Sequence, residues 1–249
     1  MKNKLALYDI DGTLVDVFSS HVDAYIRSIR DVFNVDITEK KLEQGYGLPY
    51  NEVVAKPLRE LGFDEGQIRQ GMDEVSSRFT EFLGENVRQA AELGPITLPD
   101  IPYLLEKSKE IKIPMGIITA NIRGGAEAIL DSSNLTGYFN PAINSFDENY
   151  PNRYRIVKNA IDSALKQGII NSDGKVYVFG DTSSDIIAAR QNGCISIANV
   201  VNENRINGNI STRQYIQRRK SLEQAGADYI INDHTDAISI LSILGVNSS

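Results

Sequence analysis

Apolar residues along the 249-residue chain fall into two alternating patterns. Short runs bounded by polar residues or glycine occur at 5–8, 113–119, 142–145, 176–180, 194–198 and 228–231, and their length and borders predict buried β-strands. Between them lie stretches of helical period at 101–111, 125–130, 154–165 and 184–191, the last stopped by Gly193. Strand and helix in alternation predict an α/β fold built on a doubly wound parallel sheet.

The interval 16–93 departs from this alternation, because it carries helical periodicity without a buried strand. Val22, Tyr25, Ile29 and Phe33 form one apolar face, and Ile68, Met72, Val75, Phe79 and Leu83 form another. Ser20 and Asp23 have the spacing of a capping box at the start of the first of these helices. The stiff segment Gly94-Pro95-Ile96-Thr97-Leu98-Pro99 reads as the return to the main body. The predicted organisation is a core of residues 1–15 and 95–249 with a small all-helical domain, 16–94, inserted after the first strand. Residues 200–217, rich in asparagine and arginine, read as a long surface loop leading into a helix that carries Arg213, Arg218, Arg219 and Lys220 on a solvated face.

Composition narrows the function. With 41% hydrophobic and 24% charged residues, and no apolar run near the ~20 residues that span a bilayer, a soluble cytoplasmic protein without a membrane partner is expected. A net charge of −7 disfavours nucleic acid as a partner. Cys194 is the single cysteine and the chain has two histidines, so neither a disulfide framework nor a thiol nucleophile with an adjacent base is expected.

The strongest local signal is Asp9-Ile10-Asp11-Gly12-Thr13, placed where the first strand ends. One carboxylate there suits attack on phosphorus. A second, two residues on, suits protonation of the leaving oxygen, and glycine allows a tight turn past both.

With this motif the sequence resembles the haloacid dehalogenase-like superfamily, which implies a Rossmann-like core with a helical cap, mostly phosphatase chemistry and Mg2+ as cofactor. The resemblance extends to Ile117-Ile118-Thr119-Ala120-Asn121, where the family binds the transferring phosphoryl group, giving Thr119, Ala120 and Asn121 as substrate-binding positions. It implies a cation on the helix near 153–160, with Arg153 favoured and Lys158 as the alternative. In Val178-Phe179-Gly180-Asp181-Thr182-Ser183-Ser184-Asp185 it implies metal ligands Asp181 and Asp185, joining Asp9 and the backbone carbonyl of Asp11. The implied catalytic set is then Asp9, Asp11, Thr119 and Arg153, acting on a small phosphorylated metabolite, in a monomer or homodimer. A phosphomutase would share these residues, and a non-catalytic phosphate-binding module could share the fold. A dehalogenase does not need Asp11. A phosphonate hydrolase needs a cap lysine, and the insert has none before Lys40.

Overall fold

The computed structural model describes residues 3–45, 48–99, 101–146, 152–200, 212–231 and 237–245. Five parallel strands, β1 (Lys4–Tyr8), β2 (Met115–Ile117), β3 (Lys175–Gly180), β4 (Ile195–Asn199) and β5 (Tyr229–Ile231), pair in the order β2-β1-β3-β4-β5. The sheet is buried on both faces, so its strands are continuous apolar runs such as Leu5, Ala6, Leu7 and Tyr8, all fully buried. From β1 the chain crosses to β2 on one side, then passes over β1 to β3 on the other. This reversal opens a crevice beyond the carboxyl ends of the central strands, the usual place for a ligand in such sheets.

The expected strand at 142–145 is a correction. Asn140 caps a 3₁₀ turn, Pro141–Ile143, by accepting from the Ala142 N–H at 3.0 Å, and only Ser145 bridges to Ile118. Proline at the start of that turn favours the turn over a ladder, since it has no N–H to give.

Between β1 and Ile101, the described residues form helices and no strand: α1 (Phe18–Phe33), α2 (Glu39–Leu42), α3 (Tyr50–Glu60) and α4 (Glu65–Leu93). The stripes read from sequence are the packed faces. Ile29, Ile68, Val75, Phe79 and Leu83 are buried, and Tyr25, Phe33 and Met72 pack against them. The expected capping box at Ser20 and Asp23 is a second correction: α1 begins earlier, at Phe18, so both residues lie inside the helix, and Val17 precedes it without a side-chain cap. A capping box does form on α4, where Asp64 accepts from Gly66 and Gln67 N–H groups while Gln67 accepts from the Asp64 N–H. The helical segment leaves and rejoins the sheet side by side: Val15 bridges Thr97 antiparallel, Asp16 N–H donates to the Ile96 carbonyl at 2.9 Å, and Leu98 N–H donates to that of Leu14 at 2.9 Å.

The remaining helices, α5 (Ile101–Glu110), α6 (Arg123–Ser132), α7 (Arg153–Lys166), α8 (Ser183–Gln191), α9 (Thr212–Ala225) and α10 (Ala237–Ile243), cover the two faces of the sheet. Of the stretch read as a loop at 200–217, residues 201–211 lie outside the described residues, and α9 already begins at Thr212. Arg213 and the centre of the Gly45–Pro49 loop, Tyr46 and Gly47, likewise fall where side chains are not described. Cys194 is buried and burial pushes its thiol up to about 12, which suits an inert core position. No helix among the described residues is long and apolar enough to cross a membrane.

Candidate active site

Asp9 follows β1 directly, and its N–H continues the ladder to the Phe179 carbonyl at 3.0 Å. The chain then turns sharply: the N–H groups of Thr13, Leu14 and Val15 all reach back to the Ile10 carbonyl. Gly12 takes φ +69°, a left-handed conformation that a side chain would strain. It is also needed for space, because a Cβ there would lie 2.3 Å from Asp181 Oδ2. The turn is pinned from β4 by Asn199, whose Nδ2 donates to the Gly12 carbonyl at 2.8 Å.

Asp181 follows β3, and α8 starts two residues later. Thr182 caps that helix, accepting from the Asp185 N–H, while Asp185 Oδ2 accepts from the Thr182 N–H at 3.0 Å and from its hydroxyl at 2.7 Å. The other Asp185 oxygen, Oδ1, pairs with Nε of Arg153, the first residue of α7. The same guanidinium reaches Asp9 Oδ1 through Nη2 at 2.7 Å. The end of β1, the β3–α8 junction and the start of α7 thereby meet, and carboxylate oxygens of Asp9, Asp181 and Asp185 lie within 4.8 Å of one another.

Gly180 makes this approach possible. A Cβ on it would meet Asp185 Cβ at 2.3 Å and Cγ at 2.5 Å, and Asp185 is fixed by its capping bonds. Gly180→Ala is expected to destabilise the protein by about 1–3 kcal/mol through overpacking. The melting temperature should fall by roughly 2–4 °C per kcal/mol, with weaker divalent-cation binding by calorimetry. An unchanged melting curve and affinity would contradict the packing described.

Electrostatics follow from burial. Asp9 is pushed up to about 7, chiefly by burial, with Arg153 pulling it down and Asp185 and Asp11 pushing it up. Asp181 lies well above the usual carboxylate range, first through burial, then through Asp185 and Asp9. Burial works against the charge of Arg153, yet Asp185 and Asp9 hold its pKa above the ordinary arginine value. Three clustered acids share one guanidinium in a shielded place, so ionising all three calls for a further positive charge. All their free ligand atoms are hard oxygens, so the residues fit a hard divalent cation such as Mg2+.

Asp11 sits differently. Burial would raise it, but the charge and hydrogen bond of His21, the Asn121 amide and Arg153 together hold it below the ordinary carboxylate value. His21 Nε2 lies 3.1 Å from Asp11 Oδ1, and Asn121 Nδ2 donates to Oδ2 at 2.7 Å. His21 stands on α1 with its ring against Phe79, so the helical insert itself contacts Asp11.

Of the positions expected from sequence, Asp9, Asp11, Asp181, Asp185, Arg153 and Asn121 are brought together by these bonds. Thr119 is buried next to them, accepting from the Asn121 N–H at 3.2 Å, and Ala120 is exposed beside it. Lys158 is not brought in. Its Nζ pairs with both oxygens of Asp162 at 2.8 and 2.9 Å on the exposed side of α7, because five residues beyond Arg153 is about 140° around a helix. His21 and Asn199 are additional members of the constellation that the sequence reading did not single out.

Residues 6–199 match the haloacid dehalogenase-like hydrolase family. The chain belongs to that family. Among curated relatives, a phosphoglycolate phosphatase of Aquifex aeolicus is 24% identical over 208 residues, covering 76% of this chain and 81% of the relative. A validoxylamine A 7′-phosphate phosphatase of Streptomyces hygroscopicus is 23% identical over 209 residues, covering 78% and 84% respectively. Among solved structures, a phosphonoacetaldehyde hydrolase-like protein of Oleispira antarctica superposes with a TM-score of 0.71 at 18% identity, covering 98% of this chain and 93% of that one. This likeness extends to the haloacid dehalogenase-like fold and carries no statement about substrate.

Proposed function

We propose that the protein is a Mg2+-dependent phosphomonoester hydrolase that acts on a small phosphorylated metabolite through an aspartyl-phosphate on Asp9. The observation that carries this reading is the pairing at one strand end of two unlike carboxylates. Asp9 is clustered with Asp181, Asp185 and Arg153, while Asp11 is set apart on His21 and Asn121. Family membership and relatives named for hydrolysis of small phosphate esters support it.

In the first step an Asp9 oxygen attacks phosphorus, the bond from phosphorus to the ester oxygen breaks, and Asp11 gives that oxygen its proton. Asp11 is held ionised in the free protein; a phosphate anion placed against it raises its pKa, so that Asp11 takes up a proton from solvent as the substrate binds and holds it for the leaving oxygen. Thr119 and Arg153 hold the phosphoryl oxygens. In the second step Asp11, now a base, takes a proton from water as the water oxygen attacks phosphorus, releasing phosphate and restoring Asp9. Asp9, Asp181, Asp185 and the Asp11 carbonyl would hold Mg2+, which when bound supplies positive charge against the phosphoryl oxygens. Residues 16–94 are read as a cap over a core of 1–15 and 95–249, a division supported by the paired crossings at Val15 and Thr97. Closure of such a cap would exclude water while Asp9 is attacking.

The direct test is phosphate release from a panel of small phosphorylated metabolites, with Mg2+ and with chelator. Release should fall roughly 10²-fold or more without the cation. Activity on no member of the panel would remove the phosphatase reading.

The acids also set a pH dependence of cation binding. Asp9, near 7, and Asp181, above the carboxylate range, carry protons in the metal-free protein that a cation must displace. Affinity for Mg2+ should therefore rise as pH increases through about 7, with protons released on binding at pH 6. Titration calorimetry in two buffers of different ionisation enthalpy reads this release, and a buffer-independent heat at pH 6 would contradict it.

A further inference from the structure

Helix α9 turns Tyr215, Leu222 and Ala225, which recur at helical spacing, toward the core. Leu222 is buried with Ile186, Ala198 and Val200, and Tyr215 and Ala225 pack on the same group. Arg218, one turn before Leu222, is exposed, as its place on a solvated face predicts, and its less exposed neighbour Arg219 pairs with Glu223 at 3.0 Å. Ser221 fixes the level of the helix: its hydroxyl lies 2.7 Å from Ser183 Oγ, and its carbonyl accepts from Ser183 at 3.4 Å. Ser183 is the first residue of α8, and at the far end Arg190 of α8 donates to the Ala225 carbonyl at 3.0 Å, so the two helices run side by side in one direction. Three residues before Ser221, Arg218 therefore lies about 4.5 Å beyond the start of α8, above the carboxyl edge of the sheet. Its side chain is exposed there, and no carboxylate among the described residues forms an ion pair with it.

We propose that Arg218 is a specificity-determining residue that binds a second anionic group, a phosphate or a carboxylate, on the alcohol portion of the substrate; this rests on the phosphatase reading above. The sheet order decides against the transferred phosphoryl group as its partner. Thr119, Asp9 and Asp181 follow β2, β1 and β3, which are consecutive neighbours, and α9 lies beyond β3 on the side away from Thr119. At ~4.8 Å per strand, an anion on Arg218 would sit roughly 5–10 Å from phosphorus on Asp9. A cation at that rim also offsets the repulsion that Asp9, Asp11, Asp181 and Asp185 present to an anionic ligand.

The test uses the whole protein with Asp9→Asn to block turnover, in Mg2+, titrated calorimetrically with hexane-1,6-diol bisphosphate and with hexyl phosphate. These probes share one chain and differ by one anionic end. With Arg218 present, the bisphosphate should bind roughly 5- to 30-fold tighter, the range of a partly screened charge-assisted contact. Adding Arg218→Gln should bring the two probes within about twofold and Arg218→Lys should fall between. Raising salt from about 0.05 to 0.3 M should shrink the preference in the parent and leave the Gln protein unchanged. A parent that binds the bisphosphate no tighter, or not at all, or a Gln protein that loses both probes alike, would overturn the assignment. Phosphate release by the native protein is scored separately, so a bisphosphate preference that depends on Arg218 without any hydrolysis would remove the phosphatase reading and leave the anion site standing.

Discussion

Asp9→Asn is expected to abolish turnover, by roughly 10⁵-fold or more, as removal of a nucleophile does elsewhere, while the protein stays folded. The amide has the size of the carboxylate it replaces and keeps an oxygen for Arg153, so the end of β1 has no cavity to collapse. It cannot form the acyl-phosphate. Stability should move the other way in chelator. Asp9 has a folded pKa near 7, raised above its unfolded value near 4, so the ionised form is the one disfavoured by folding. That cost is absent at low pH, grows as pH rises from about 4 to 7, and is complete above; the neutral amide removes it. The variant should therefore melt at least as high as the native protein at pH 8 without metal, and gain less from Mg2+. Turnover within tenfold of native would exclude Asp9 as nucleophile, and a large loss of stability in chelator at pH 8 would contradict the electrostatic account of the cluster.

What the sequence made legible was whatever one strand end could carry alone. Asp9 and Asp11 stand within one short motif, and Asp181 and Asp185 follow an apolar run closed by Gly180, so strand periodicity and local chemistry reach both. The choice between Arg153 and Lys158 was not local. It depends on helix phase, and only the placement of α7 shows Arg153 turned to Asp9 while Lys158 pairs outward with Asp162. His21 was hidden among the helices of the insert, although a signal existed: it precedes Tyr25 and Ile29 at spacings of four, so a titratable ring stood on an apolar stripe. Asn199 ends β4 as Asp9 follows β1, and a polar side chain at the carboxyl edge was reason enough to consider it. The strand at 142–145 failed because a capped proline turn competes with a short edge pairing, and the competition is settled by Asn140 rather than by the apolar pattern.

Asp11→Asn is the second large effect, and its pattern across substrates says more than its size. A loss of roughly 10² to 10⁴-fold is expected for alkyl phosphates, where the leaving oxygen needs a proton as its bond to phosphorus breaks. An aryl phosphate such as p-nitrophenyl phosphate leaves as a stable anion, so its first step should survive far better. The second step still lacks its base, and the phosphorylated enzyme should accumulate, visible as a burst of nitrophenolate and as added phosphate mass on Asp9. Cation affinity should change little, because the Asp11 carboxylate is not among the three that converge within 4.8 Å. The fold should hold as well, since an asparagine oxygen at this position can still accept from the Asn121 amide that now donates at 2.7 Å. Equal losses on alkyl and aryl esters, with no burst, would mean that Asp11 serves neither proton transfer and only shapes the turn at Gly12. A selective loss on alkyl esters together with a burst and slow release on the aryl ester would instead place both proton transfers on one carboxylate, held between a histidine of the insert and an asparagine of the core.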